Sequence, residues 1–151
     1  MPMETWGKFS GYTTDPNINP HYIRPAMLQQ RLQKIMDEYV GGVGTWYMTS
    51  KYMLEEGFYY LDLLKEDSHH MCAENLHELL RAWENFHRIL AGEAHARHIH
   101  FREETRYPGY YYRGDHLAID DENWKCFVNS TYDKESGEWD IFKREYHQLV
   151  P

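Results

Sequence analysis

Hydrophobic positions recur every three or four residues in three long stretches, and that period predicts three amphipathic helices. The first opens at Pro25, whose missing N–H costs nothing at a helix start. It carries Met27, Leu28, Leu32, Ile35, Met36 and Tyr39, and Gly41-Gly42-Val43-Gly44 ends it. This tetrad lacks the GxGxxG or GK[ST] pattern of phosphate loops and follows a helix instead of a strand, so it reads as a helix–helix turn. The second stretch runs from Thr45 to Lys65. Trp46, Tyr47, Met53, Leu54, Phe58, Leu61 and Leu64 form its apolar face, while Glu55, Glu56, Asp62 and Lys65 face water. The third is the most regular, with Leu76, Leu79, Leu80, Trp83, Phe86, His87, Leu90, Ala94 and Arg97. It lies in a proline-free run from Ala73 to Glu104, about 45 Å long at 1.5 Å per residue. Glu66-Asp67-Ser68-His69-His70 is a short connection, so residues 25–106 are expected to form an antiparallel three-helix bundle.

The flanks have no such period. Residues 1–24 form an irregular lead-in broken by Gly7, Gly11, Pro16 and Pro20. Pro108-Gly109 stops helical structure, and Tyr107 to Tyr112 is an aromatic strip. Trp124–Tyr132 and Trp139–Tyr146 then alternate around the turn residues Asp133-Lys134-Glu135-Ser136-Gly137, which predicts a β-hairpin. The expected fold is mainly α, a three-helix bundle followed by an aromatic loop and a C-terminal β-hairpin over 107–151.

With 151 residues, 42% hydrophobic and 26% charged, the chain is the size and composition of one globular domain and not of two catalytic ones. No apolar run approaches the ~20 residues that span a bilayer, and the polar start Met1–Ser10 is not a signal peptide. A cytoplasmic chain with no membrane span is the expectation. Twenty-four acidic against 16 basic residues give a net charge of −8, and the basic ones are scattered. A phosphate backbone would be repelled, so nucleic acid is not an expected partner. Cys72 and Cys126 are too few for an iron–sulfur cluster or a cysteine-rich zinc site, and a disulfide is not expected in a cytosolic chain.

Ten histidines invite a metal reading. Glu74-Asn75-Leu76-His77 and Glu84-Asn85-Phe86-His87 are both ExxH, the unit that di-iron bundles use twice on facing helices. Here the two lie on one helix, about 15 Å apart along its axis, and cannot share a metal pair. In the cluster His95-Ala96-Arg97-His98-Ile99-His100-Phe101-Arg102-Glu103-Glu104, His95 and His98 share a helix face, and His100 falls near Glu103 and Glu104. His100 or Arg102 could bind an anion. Alternatively, these cations complement the end of the helix and pair with neighbouring acids. Tyr107-Pro108-Gly109-Tyr110-Tyr111-Tyr112-Arg113 could hold a planar ligand or pack flat against its surroundings. No nucleophile elbow or dinucleotide fingerprint is present.

Several long words carry a family resemblance. Arg31–Tyr39, Leu79–Asn85, His100-Phe-Arg-Glu-Glu104, Tyr107-Pro-Gly-Tyr-Tyr111 and Glu122–Asn129 resemble the C-terminal region of the alpha subunit of dissimilatory adenylylsulfate (APS) reductases, within the fumarate reductase/succinate dehydrogenase flavoprotein group. That group often carries R-G-x-H-x-R-[ED]-D followed by D-D-x-x-W. Arg97, His100, Arg102, Glu103, Glu104, Asp120, Asp121 and Trp124 fill most of the pattern, with His98 in place of glycine, Glu104 in place of aspartate and a longer gap before Pro108. The resemblance implies a helical domain from an enzyme that interconverts APS with sulfite and AMP at FAD, with electrons passing through an iron–sulfur beta subunit. The flavin fold and capping domain precede this region in the family, so neither catalytic nor cofactor-binding residues are expected in this chain. Docking on the flavin domain is expected, and the clustered charge and aromatic residues suggest its parts: Arg97, His100 and Arg102 as charged anchors, Trp124 securing the hairpin and the strip around Tyr110 at the interface. Exposed apolar surface, and with it self-association of the isolated chain, is a further expectation.

Overall fold

The computed structural model describes residues 23–147. In chain order these form α1 (Pro25–Tyr39), a 3-10 turn (Val43–Thr45), β1 (Met48–Thr49), α2 (Lys51–Ser68), α3 (Leu76–Phe101), β2 (Tyr112–Arg113), α4 (Asp121–Trp124), β3 (Cys126–Tyr132) and β4 (Trp139–Glu145). The class is mainly α with a C-terminal antiparallel strand pair, as the residue pattern predicts. The expected lead-in, apart from Ile23 and Arg24, lies outside the described residues.

Helix ends follow local chemistry. Gly41 takes φ +85° beyond α1, and Gly42 N–H donates to the Asp37 carbonyl at 3.1 Å, the closure of a Schellman motif. α2 starts at Lys51 and not at Thr45. Trp46 and Tyr47 sit at φ +55° and +61°, so no helix passes through them, and Ser50 Oγ caps the helix by accepting from Met53 N–H. α3 starts at Leu76 because the Asn75 side chain accepts from His77 and Glu78 N–H, both at 3.0 Å. It ends at Phe101, short of Glu104, with Arg102 N–H making the last helical bond to the His98 carbonyl.

Two compact units divide the chain, the first taking residues up to Met36 with Gly57–Glu93, the second Asp37–Glu56 with residues from Ala94 onward. In the first, Leu28, Leu32, Leu61, Leu64, Leu79, Ala82 and Ile89 are buried. Three polar groups join them: Asn85 Nδ2 donates to the Pro25 carbonyl at 2.7 Å, Ser68 Oγ donates to the Lys65 carbonyl at 2.6 Å, and Glu93 pairs with Lys65 at 2.6 Å. The buried face of α3 is therefore not the predicted one. Of the nine predicted stripe residues only Leu79 is fully buried, and the core face is rotated onto Ala82, Asn85, Ile89 and Glu93. Partners supplied by other helices make that polar face buriable.

In the second unit Val40, Leu54, Ala96, Ile99, Tyr111 and Trp124 are buried alongside Thr49, Arg102, Glu104, Thr105 and Arg113. β1 pairs in parallel with β2, Met48 opposite Tyr112 and Thr49 opposite Arg113, a pairing with no sequence signal of its own. β3 and β4 are antiparallel, from Cys126 opposite Glu145 to Tyr132 opposite Trp139. Gly137 at φ +75° and its N–H bond to the Asp133 carbonyl close the predicted turn. Trp124 ends a short helix and does not start the strand.

Candidate functional site

The second unit concentrates its charge where α3 stops. Three carbonyls at that end, of Ile99, His100 and Arg102, accept from one guanidinium nitrogen, Arg113 Nη1, at 2.6, 3.1 and 2.9 Å. A cation placed at a helix C-terminus meets both the orphan carbonyls and the negative end of the dipole. Arg113 is 1% exposed. Its other nitrogens donate to both carboxylate oxygens of Asp115, at 2.9 and 2.8 Å, and Asp115 also accepts from Lys51 N–H at the start of α2. The Arg113 guanidinium, helped by Lys51 N–H, outweighs burial and holds the Asp115 carboxyl well below the usual range.

A second cluster lies beside it. Glu104, fully buried, accepts from Arg102, from Arg106 at 2.7 and 2.9 Å, and from Asp120 N–H at 3.0 Å. Burial pushes its carboxyl up, but the bonds from Arg106, Asp120 N–H and Arg102 win and keep it below the ordinary value. Arg106 continues to Asp121 at 2.9 Å. Arg102 also donates to the Trp124 and Cys126 carbonyls, both at 2.9 Å, and so ties the end of α3 to the root of the hairpin. The Trp124 ring meets Phe101 edge-on and carries the Lys143 ammonium 3.5 Å above it. Further along α3, His98 Nε2 meets Ser130 Oγ at 2.9 Å.

Among the predicted anchors, the structure thus brings Arg102 and Trp124 together. Arg97 is half-buried on α3, and Tyr110 is 81% exposed at the tip of the aromatic loop. The helix that would align His100 with Glu103 and Glu104 ends at Phe101. The His100 ring nitrogen faces Glu55 at 3.4 Å. His95 and His98 do share a face, lining a depression of about 320 Å³ with Tyr107, Tyr111 and Phe127. Burial lowers the pKa of both rings, His95 further by His98 and His98 further by Arg102. Sequence reasoning missed Arg113, Asp115 and Arg106. A cation following a helix end was the available signal, but its target carbonyls lie up to 14 residues back.

The Gly41–Gly44 turn is no cradle for flavin phosphates. The Asp37 carboxylate accepts from Gly44 N–H there at 2.9 Å, so an acid occupies the position where phosphate oxygens would need donors. That turn does not fit FAD. Glu74 precedes α3 and pairs with Arg24, and Glu84 pairs with Arg88. Among the described residues no group of three or more His, Cys, Asp or Glu is placed to hold a metal ion; Cys72 is buried with its thiol toward the His70 carbonyl, and Cys126 is a free thiol. No helix among them is long and apolar enough to cross a membrane.

No family model matches the chain. It is 52% identical over 150 residues to the alpha subunit of adenylylsulfate reductase from Megalodesulfovibrio gigas, covering 99% of this chain and 22% of that one. This chain matches one segment of an adenylylsulfate reductase alpha subunit. The solved adenylylsulfate reductase of the hyperthermophile Archaeoglobus fulgidus agrees, with a TM-score of 0.86 and 49% identity over 99% of this chain and 23% of that one. Quinol fumarate reductase from E. coli shares the fold alone, at 16% identity and a TM-score of 0.74. The chain thus spans about a fifth of the length of the adenylylsulfate reductase subunits it matches.

Proposed function

We propose that this chain is the C-terminal helical domain of an adenylylsulfate reductase alpha subunit, a structural part of an enzyme that interconverts APS with sulfite and AMP. The observation that carries this reading is identity at half of all positions along nearly the whole chain. FAD, held by the rest of the subunit, supplies the two-electron chemistry, and an iron–sulfur beta subunit carries the electrons in the cytoplasm. This domain contributes no reacting group and braces the flavin-bearing part.

The geometry supports a division of labour among the anchors. Arg102 and Trp124 work from within, fixing the hairpin against the end of α3, since the Arg102 guanidinium is satisfied by Glu104 and two carbonyls. Tyr110, with Arg97 and His100 less exposed, presents surface to the flavin-bearing neighbour.

Mixing the purified chain with the flavin-bearing remainder of an APS reductase alpha subunit, together with the beta subunit, tests the reading. FAD-dependent formation of sulfite and AMP is expected on complementation, with none from the chain alone. Indifference of the mixture, or tightly held yellow flavin in the isolated chain, would overturn it.

A further inference from the structure

α3 has two apolar faces, and the richer one points away from its own core. Leu76, Leu80, Trp83, His87, Leu90 and Ala94 follow one another at alternating spacings of four and three, the seam of a helix–helix contact. At 100° per residue this stripe lies roughly 140° around the helix from the buried one. The buried face carries Ala82, Asn85 and Glu93, of which Asn85 donates to the Pro25 carbonyl and Glu93 pairs with Lys65 inside the first unit. On the outward stripe Leu76 is 72% and Leu80 46% exposed, while Trp83, Leu90 and Ala94 are half-buried. Trp83 and His87 already pack ring to ring at 4.3 Å, giving the seam a shaped centre. The Glu84–Arg88 ion pair and the exposed Arg81 border it with both signs of charge.

Such a stripe is narrow, about 27 Å from Leu76 to Ala94, and complements the ridge of a helix better than the broad face of a sheet. The adenylylsulfate reductase subunits that match this chain are single polypeptides in which the matching segment is 22–23% of the length. A helix elsewhere on the same polypeptide is present at high effective concentration and outcompetes free partners. We infer that the outward stripe of α3 seats an amphipathic helix supplied by the rest of the alpha-subunit polypeptide. This rests on the proposed function and names the surface through which that bracing is made.

The test is sedimentation and calorimetric binding of the chain to the purified flavin-bearing remainder. Leu80→Glu and Trp83→Lys are each expected to weaken binding about 30-fold or more, the scale of a central apolar contact. Lys134→Glu in the hairpin turn should leave it unchanged. Both stripe variants should keep the melting temperature of the parent chain. If either loses it, Leu76→Lys, at the most exposed stripe position, replaces it and is expected to weaken binding in the same direction. Parent-like binding by the folded stripe variants would overturn the surface while leaving the proposed function standing. Failure of the parent chain to bind would remove both. A dimer of the chain abolished by Leu80→Glu, with binding to the remainder untouched, would assign the stripe to a second copy and overturn the inference.

Discussion

The two units solve the same problem with different chemistry. The first buries leucines and isoleucine at helical spacing and admits one amide, one hydroxyl and one ion pair. The second buries two arginines and a glutamate at the end of one helix and binds them to carbonyls and carboxylates. Apolar burial is non-directional, so the first unit should tolerate loss of any single contact in proportion to its area. A buried charge with fixed partners is all or nothing, because removing one member leaves the others desolvated and unmatched. The contrast predicts a graded response in one region and a steep one in the other.

The steepest should come from Arg113→Ala. It strands three carbonyls at the end of α3 and leaves the Asp115 carboxylate without its guanidinium partner, and about 3–5 kcal/mol of stability is the expected loss. Urea denaturation followed by far-ultraviolet circular dichroism measures it. A loss under about 1 kcal/mol would show that the cluster merely decorates an apolar core.

Leu61→Ala in the first unit should cost about 3 kcal/mol through transfer and cavity terms. Hydrogen exchange gives the sharper reading, with protection falling in α1 and in the neighbouring turns of α2 and α3 while the β3–β4 amides hold. Equal losses in both units would mean that the division has no energetic content.

How much of this was legible depended on how far apart the partners lie in sequence. The three helices and the hairpin were readable because their signals are local: Pro25 opens α1, Leu28 and Leu32 keep its period, and Asp133 to Gly137 make a turn. The core face of α3 was misplaced because Leu80 and Trp83 outrank Asn85 and Glu93 on any hydrophobic scale. Nothing near Glu93 in sequence announces that Lys65 will neutralise it. The Arg113 cluster was invisible for the same reason. Resemblance supplied Arg102, Glu104 and Trp124 as a pattern, but their bonds to each other and to Arg106 come only from the fold.

Titration distinguishes the units on the acid side. Glu104 and Asp115 have folded pKa values below their unfolded ones, so their stabilisation is complete above the ordinary carboxylate range and disappears as pH falls through the folded values. His95 and His98 are also lowered, so their contribution is complete above ~6.5 and shrinks as pH drops below it. Lys65 goes the other way. Burial alone would lower it, but Glu93 and Asp62 raise it, so its stabilisation is complete below ~10.4 and lost as pH rises through the folded value. Acid should therefore loosen the second unit, which residue-resolved exchange at pH 5 detects, while alkali draws on both units, the first through Lys65 and the second through Tyr111, whose phenol burial pushes up. His98→Gln should shrink the step below pH 6.5 without moving the alkaline one.

The smallest effect should be a gain. Trp46 lies at φ +55° and ψ +38°, a left-handed conformation that costs an ordinary residue about 1 kcal/mol or more. Its side chain is 84% exposed and so recovers little of that cost through burial. The backbone has no freedom to relax, because Trp46 N–H donates to the Val43 carbonyl and Tyr47 O accepts from Tyr112 N–H. Asparagine tolerates this region without adding the unfolded-state entropy of glycine. Trp46→Asn is therefore expected to stabilise the chain by about 0.5 kcal/mol, near 1–2 °C in melting temperature. Tyr47, at φ +61° but only 39% exposed, should gain less from the same change because it surrenders packing. A drop in stability at position 46 would mean that the exposed indole makes contacts worth more than its backbone strain, and the second unit would then owe part of its order to surface aromatics as well as to charge.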